Sequence, residues 1–150
     1  MHAHDGVEYR QAVYEKAVQF RSALEQGGLQ LQSFAKFPRA SCGDTCEMLG
    51  QFLIDSNLGI WTYRTGIDSS NSSHAYLERN GLLLDITADQ FDDVSTPVML
   101  TEDQTWHRQF SLTAGSHAAS LEWWTGHNRS DCAAALADYA LLKQRAEGSL

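Results

Sequence analysis

The sequence from residue 73 to residue 87 reads SHAYLERNGLLLDIT, in which Asn80-Gly81 separates two runs rich in apolar residues. Asn-Gly is the dipeptide that best fits a two-residue type I′ turn, because both turn positions need a positive φ. The stretch therefore predicts a β-hairpin whose strands are His74–Glu78 and Leu82–Thr87.

The two-residue turn fixes the register of the predicted hairpin and divides its side chains between two faces. An entirely apolar face is expected to form the core side; it consists of Ala75, Leu77, Leu82, Leu84 and Ile86. On the other face His74 and Asp85 are diagonal neighbours, a separation that their side chains can bridge. An aspartate inside an apolar run is costly to bury unless it is paired, so the sequence predicts that Asp85 pairs with His74.

A second distinctive stretch, residues 41–46, reads SCGDTC. Ser41 is a suitable N-cap, and Asp44 three residues later completes a capping-box pattern, which predicts a helix from Cys42 to about Asn57. The first turn of a helix offers free backbone N–H groups and the positive end of the helix dipole, which favour a thiolate and can hold an oxyanion. Cys42 therefore lies where a nucleophile is expected.

The remaining patterns predict an α+β chain. Helical spacing of apolar residues predicts helices over Val7–Gln26 and Ser130–Arg145. Aromatic and β-branched residues predict strands over Ile60–Thr65 and Thr96–Leu100. Residues Thr101–Gly115 show no decisive pattern. The expected architecture is a nucleophile helix packed on an antiparallel β-sheet and flanked by N- and C-terminal helices.

Composition excludes several classes of protein. The chain has 150 residues with 43% apolar content, which fits one domain over residues 1–150. Its net charge is −8 and its 11 Lys and Arg residues are scattered, so a nucleic-acid partner or an anionic membrane surface is not expected. The first residues do not have the pattern of a signal peptide, and no apolar run is long enough to span a bilayer, which favours a cytoplasmic protein. The three cysteines are expected to be free thiols.

The order of these elements resembles the core of papain-like and transglutaminase-like cysteine hydrolases. The resemblance covers roughly Pro38 to Phe91, where a cysteine opens a helix and the strands His-Ala-aromatic-Leu-Glu and Asp-Ile-Thr follow. It implies a papain-like (transglutaminase-like) fold with Cys42 as nucleophile, His74 as general base and acid, and Asp85 as the group that orients the histidine. It also implies action on amide bonds of a peptide or protein substrate through a thioester, with no metal and no cofactor.

One part of the pattern departs from the papain-like proteases, which usually carry a glutamine shortly before the nucleophile as an oxyanion donor. The nearest upstream glutamines, Gln30 and Gln32, lie further away than expected. Gln90, after the aspartate strand, is either a substitute donor or a surface loop residue. Hydrolysis, deamidation and acyl transfer all remain open, as does the oligomeric state.

Two other classes of function fit the same residues. The first is a catalytically silent binding domain on the same fold, with the segment around Trp123 as its partner surface. The second is a zinc module built from Cys42, Cys46, His74 and Asp85, although Cys46 falls on the apolar stripe of its helix, where a packed thiol is expected. The unpatterned positions His107, His117 and His127 are expected on the surface.

Overall fold

The computed structural model describes residues 6–113 and 115–148, which form four α-helices and one antiparallel sheet. The helices are α1 (Val7–Glu25), α2 (Cys42–Asp55), α3 (Glu122–Thr125) and α4 (Cys132–Gly148). The strands are β1 (Thr62–Ile67), β2 (Ser73–Arg79), β3 (Leu82–Asp85), β4 (Met99–Thr101), β5 (Ser111–Leu112) and β6 (His117–Ala118). The predicted α+β class is confirmed.

The sheet is ordered β4-β3-β2-β1, and β5 and β6 pair with successive parts of the outer edge of β1. Every pair is antiparallel. Two of these strands, β5 and β6, come from the end of the unpatterned segment and from the residues just after it, where no strand was predicted. They are only two residues long, too short for an alternating pattern to be visible in the sequence.

The hairpin has the predicted register, with Leu77 opposite Leu84 and Arg79 opposite Leu82. Asn80 has φ 51° and Gly81 has φ 80°, so both turn residues are in the left-handed region that a type I′ turn requires. The second strand of the hairpin, β3, ends at Asp85, two residues earlier than predicted, because the chain then enters a 3-10 turn over Ala88–Gln90.

Both faces of the hairpin are buried. The predicted core side packs against the helices, as expected. The face that was predicted to be polar is buried as well, since His74, Tyr76, Leu83 and Asp85 are each less than 9% exposed. Aromatic side chains from residues 91–110 cover it, and this cover gives the histidine and the aspartate a dry environment.

An ion pair fixes α1 to the chain that follows β3. The guanidinium of Arg21 donates to both carboxylate oxygens of Asp89 at 2.8 Å and to the carbonyl of Ile86 at 2.7 Å. Arg21 is buried, and a bidentate arrangement of this kind combines charge with a defined geometry. The turn that carries Gln90 is therefore anchored to the first helix.

The start of α2 lacks the predicted capping box. The hydroxyl of Ser41 donates to the carbonyl of Pro38 at 3.1 Å, and Asp44 accepts from the hydroxyl of Ser33 at 2.6 Å. The 3-10 turn Gln32–Phe34 provides this alternative partner, which the sequence pattern does not show. Neither the Ser41 nor the Asp44 side chain caps the first turn, so neither occupies its amides.

The last helix begins at Cys132 and ends at Gly148, close to the predicted bounds. It packs on α1, and its buried Asp138 accepts from the amides of Gln30 and Leu31 at 2.7 and 2.8 Å. Of the helices in residues 6–113 and 115–148, none is both long and apolar enough to cross a membrane.

Close approach of α2 to the chain before α3 depends on Gly50. A Cβ atom at this position would lie 2.4 Å from the Cβ of Ala119 and 2.5 Å from its carbonyl oxygen. We expect Gly50→Ala to lower the free energy of unfolding by about 1–3 kcal/mol, because the backbone must shift to relieve the overlap. Urea unfolding measures the change. Gly148→Ala, which meets nothing within 4 Å, is the control and should stay within about 0.5 kcal/mol of the parent; equal stabilities for the two variants would contradict the packing described.

Candidate active site

The structure brings together the three residues that the sequence singled out. Nε2 of His74 on β2 lies 2.6 Å from Oδ2 of Asp85 at the end of β3, and both side chains are buried. Cys42, the first residue of α2, is half-buried, and its thiol is near enough to the His74 ring to affect the pKa of that ring. One helix and two strands thus supply a thiol, an imidazole and a carboxylate in series.

The two ring nitrogens of His74 have different partners. Because Nε2 faces Asp85, Nδ1 is the nitrogen left for the Cys42 thiol. The side-chain amide of Gln90 lies 3.4 Å from this Nδ1 and donates to the carbonyl of Thr87 at 3.1 Å. Gln90 is half-buried at the end of a 3-10 turn and lies beside the histidine, so of the two alternatives for this residue the exposed loop position is not the one observed.

A second histidine contacts the aspartate. Nε2 of His107 lies 2.7 Å from Oδ2 of Asp85, the oxygen that also faces His74. The other oxygen, Oδ1, accepts from the amide of Thr87 at 3.1 Å. The prediction that His107 lies on the surface is wrong, because its side chain is only 2% exposed.

Sequence reasoning missed His107 because it lies in a 3-10 turn, His107–Gln109, within the segment that has no periodic pattern. The available signal was its position next to Trp106 and near Phe110, since clustered aromatic residues are usually buried. His117 and His127 are exposed as predicted. His117 is nevertheless paired, with Nε2 lying 2.7 Å from Oε2 of the buried Glu47.

The environment favours charge on both members of the His74–Asp85 pair. Burial alone would lower the pKa of His74, but the hydrogen bond to Asp85 and the nearby Cys42 outweigh it and raise the pKa to about 9. Burial alone would raise the pKa of Asp85, but hydrogen bonds from His107 and His74 lower it to about 2. An imidazolium next to a cysteine favours the thiolate, which is the nucleophilic form.

Aromatic rings surround the histidine. The ring centres of Phe91 and Phe110 lie 5.2 Å from that of His74, and the ring of Trp106 lies 5.7 Å away with its plane nearly perpendicular. The indole N–H of Trp106 donates to Asp93 at 3.0 Å, which fixes this ring. These rings exclude water from the pair and so strengthen the attraction between its charges.

Tyr63 of β1 approaches the first turn of α2. Its hydroxyl lies 3.2 Å from where a Cβ atom of Gly43 would be, so the absence of a side chain at position 43 leaves room for it. Burial raises the pKa of Tyr63, and the neighbouring Cys46 and Cys42 raise it further. The tyrosine therefore keeps its proton and remains a hydrogen-bond donor next to the cysteine.

Two adjoining cavities lie next to the first turn of α2, beginning at Gly43. The first, of about 130 Å³, is lined by Gly43, Asp44, Glu47, Tyr63, His117 and Trp123. The second, of about 250 Å³, shares His117 and Trp123 with it and is completed by Ala118, Glu122 and His127. We refer to the two together as the Trp123 groove. Burial raises the pKa of both Asp44 and Glu47.

The four residues of the alternative zinc module, Cys42, Cys46, His74 and Asp85, are not grouped around one point. Within residues 6–113 and 115–148, the side chains close enough to share a metal ion are His74, Asp85 and His107, whose candidate ligand atoms lie within 4.8 Å of one another. However, Oδ2 of Asp85 lies 2.6 and 2.7 Å from the two ring nitrogens. Two ligands that are each about 2.0–2.1 Å from a tetrahedral zinc ion lie more than about 3 Å apart. The distances from Asp85 to the two histidines are therefore those of hydrogen bonds and are too short for two ligands of one zinc ion.

Cys46 is a packed core thiol, as predicted. It is 5% exposed, and burial raises its pKa well above the ordinary value, which disfavours the thiolate that a metal would need. All three cysteines are free thiols, also as predicted.

Comparisons of the chain with protein-family models, with curated proteins and with solved structures found no match. Any functional assignment must therefore come from the site itself.

The paired charges predict how stability depends on pH. The pKa of His74 is about 9 in the folded chain and about 6.5 in the unfolded chain. The pairing of His74 therefore adds fully to the free energy of unfolding below pH 6.5, and this contribution is lost as the pH rises to 9. Asp85 contributes above its unfolded pKa of about 3.8, and this contribution is lost as the pH falls to about 2. We expect Asp85→Asn to flatten the decline in the free energy of unfolding between pH 6.5 and 9.

Urea titrations at successive pH values would measure this decline. His127→Gln, at an exposed histidine, is the control and should keep the slope of the parent chain. A slope that is the same in Asp85→Asn and in the parent would show that His74 and Asp85 are not a charged pair.

Proposed function

We propose that the chain is a cysteine-dependent hydrolase or acyl transferase with a papain-like (transglutaminase-like) fold, acting on an amide bond of a peptide or protein. The observation that carries this proposal is the convergence of Cys42, His74 and Asp85 in the order thiol, imidazole, carboxylate. Each group acts on the next one, because the carboxylate orients the imidazole ring and the ring activates the thiol.

In the proposed reaction, Nδ1 of His74 takes the thiol proton of Cys42 and the thiolate attacks the substrate carbonyl carbon. The amide N–H groups at the start of α2 and the hydroxyl of Tyr63 face the oxyanion that forms. His74 then gives its proton to the departing amine as the C–N bond breaks, which leaves a thioester on Cys42. Water resolves the thioester in a peptidase or deamidase, and an amine resolves it in a transferase. Asp85 stays ionised throughout.

The Trp123 groove is the proposed substrate site. Its support is that the groove begins at Gly43, the residue next to the proposed nucleophile. The rings of Tyr63 and His117 are stacked at 4.6 Å, and Trp123 extends this wall. Aromatic walls suit a peptide, since they contact backbone and side chain without a strict shape requirement.

The second candidate function, a catalytically silent binding domain, would use the same groove. Its support is the half-buried Trp123, whose ring also lies 4.7 Å from the guanidinium of Arg129. The two functions differ in one property, the reactivity of Cys42.

Alkylation tests the proposed nucleophile. We expect iodoacetamide at neutral pH to modify Cys42 before Cys132, although both are half-buried, because Cys42 lies beside His74. Peptide mapping by mass spectrometry gives both rates in one sample. His74→Gln should slow modification of Cys42 by about tenfold or more and leave Cys132 unchanged, because the ring that takes the thiol proton is then absent.

Equal rates at Cys42 and Cys132 in the parent chain would rule out an activated nucleophile and favour the binding domain. Where Cys42 is reactive, a panel of peptide amides separates the outcomes: ammonia release indicates deamidation, a new peptide terminus indicates proteolysis, and incorporation of an added amine indicates transfer.

Removing Trp123 tests the groove. With a peptide from that panel that acylates Cys42, we expect Trp123→Ala to raise the half-saturating concentration about tenfold, a loss of about 1.4 kcal/mol of stacking and burial. Its iodoacetamide rate should equal that of the parent chain, because the triad is untouched. Leu136→Ala, at an exposed position on α4, is the matched control for loss of an apolar side chain. An unchanged half-saturation in Trp123→Ala would place the substrate elsewhere.

A further inference from the structure

His107 is a buried histidine that the proposed reaction does not use. We propose that it is a positioning residue which acts through Asp85, so that the site is a series of four side chains, Cys42, His74, Asp85 and His107, of which the last three are joined by hydrogen bonds. The inference rests on the proposed function and adds a residue to it.

The contacts of His107 define its tautomer. Nε2 lies 2.7 Å from Oδ2 of Asp85, whereas Nδ1 is buried and has no hydrogen-bond partner within residues 6–113 and 115–148. A proton on Nδ1 would be a buried donor without an acceptor, which is costly. The ring therefore carries its proton on Nε2 and donates it to the carboxylate as a neutral group.

The ring of His107 has little freedom to move. Its centre lies 4.5 Å from that of Tyr76 and 4.8 Å from that of Trp106, and the side chain is 2% exposed. Backbone hydrogen bonds hold the turn that carries it, from Phe110 N to the carbonyl of His107 at 3.1 Å and from Arg108 N to that of Gln104 at 3.0 Å. The donor is thus fixed to the fold independently of His74.

This fixed donor restrains the carboxylate of Asp85. Oδ1 is engaged by the amide of Thr87 and Oδ2 by His107, so rotation of the carboxylate would break a hydrogen bond at each oxygen. Oδ2 consequently keeps its direction toward Nε2 of His74. Since His107 donates without a charge, it supports the ionised carboxylate and leaves the attraction between Asp85 and the His74 imidazolium intact.

Other titratable groups also face this network. They are Cys42 and Cys46 on α2, Tyr76 on β2 and the His74–Asp85 pair itself. The experiment must therefore separate the effect of His107 on Cys42 reactivity from the effects of these groups. A substitution at position 107 alone makes this separation.

Two variants separate the hydrogen bond from packing. His107→Phe keeps a ring but removes the donor, whereas His107→Gln retains a donor nitrogen at a position close to that of Nε2. The readout is the rate of Cys42 alkylation by iodoacetamide from pH 4.5 to 9. In His107→Phe we expect this rate to fall by about tenfold, because a carboxylate that has lost one donor no longer holds its oxygen toward Nε2 of His74. His107→Gln should recover most of the rate.

Arg108→Gln, at the exposed neighbour in the same turn, is the control and should keep the parent profile. The proposal is overturned if His107→Phe is folded and its Cys42 is alkylated as fast as that of the parent chain, or if His107→Gln loses as much rate as His107→Phe. An unreactive Cys42 in the parent chain would instead contradict the proposed function.

A measurement on the parent chain makes the inference independent of whether a variant folds. Long-range ¹H–¹⁵N spectra of the histidine rings distinguish the two neutral tautomers and the imidazolium. We expect His107 to be the neutral Nε2–H tautomer. A proton on Nδ1, or an imidazolium, would contradict the assigned role.

Discussion

The buried carboxylate of Asp85 is the constraint on which the site depends. A carboxylate that is 2% exposed is tolerated only when its oxygens accept hydrogen bonds, and three donors meet this need: the amide of Thr87 and the rings of His74 and His107. These donors come from β2, from the chain just after β3 and from a turn more than twenty residues later. The hairpin brings β2 to β3, and the need to satisfy Asp85 adds the turn that carries His107.

The same arrangement explains why the sheet is covered on both faces. The helices cover one side of the hairpin, while the aromatic residues of segment 91–110 cover the side that carries the histidine and aspartate. The Arg21–Asp89 pair fixes the start of this segment to α1. In the proposed function, the cover keeps water from the charged pair, and the Trp123 groove, which begins at Gly43 next to Cys42, holds the substrate.

The sequence predicts those features that local chemistry specifies. Asn80-Gly81 determines the turn and therefore the register, and the register brings His74 to Asp85. It does not predict His107, because no periodic pattern connects a 3-10 turn to a strand more than twenty residues earlier. The expected capping box at Ser41 also fails, because Ser33 offers Asp44 a partner through tertiary contact. The local capping-box pattern competes with the tertiary contact between Ser33 and Asp44, and the tertiary contact is the one that forms.

The central claim is that Cys42 forms a covalent acyl intermediate with the help of His74. The most direct measurement mixes the chain with p-nitrophenyl acetate, follows the released phenolate, and locates the acetyl group by mass spectrometry. The account predicts a burst of about one equivalent of phenolate per chain with the acetyl group on Cys42, and no burst in Cys42→Ala. A parent chain that shows no burst, or that carries its acetyl group on another residue, would contradict it.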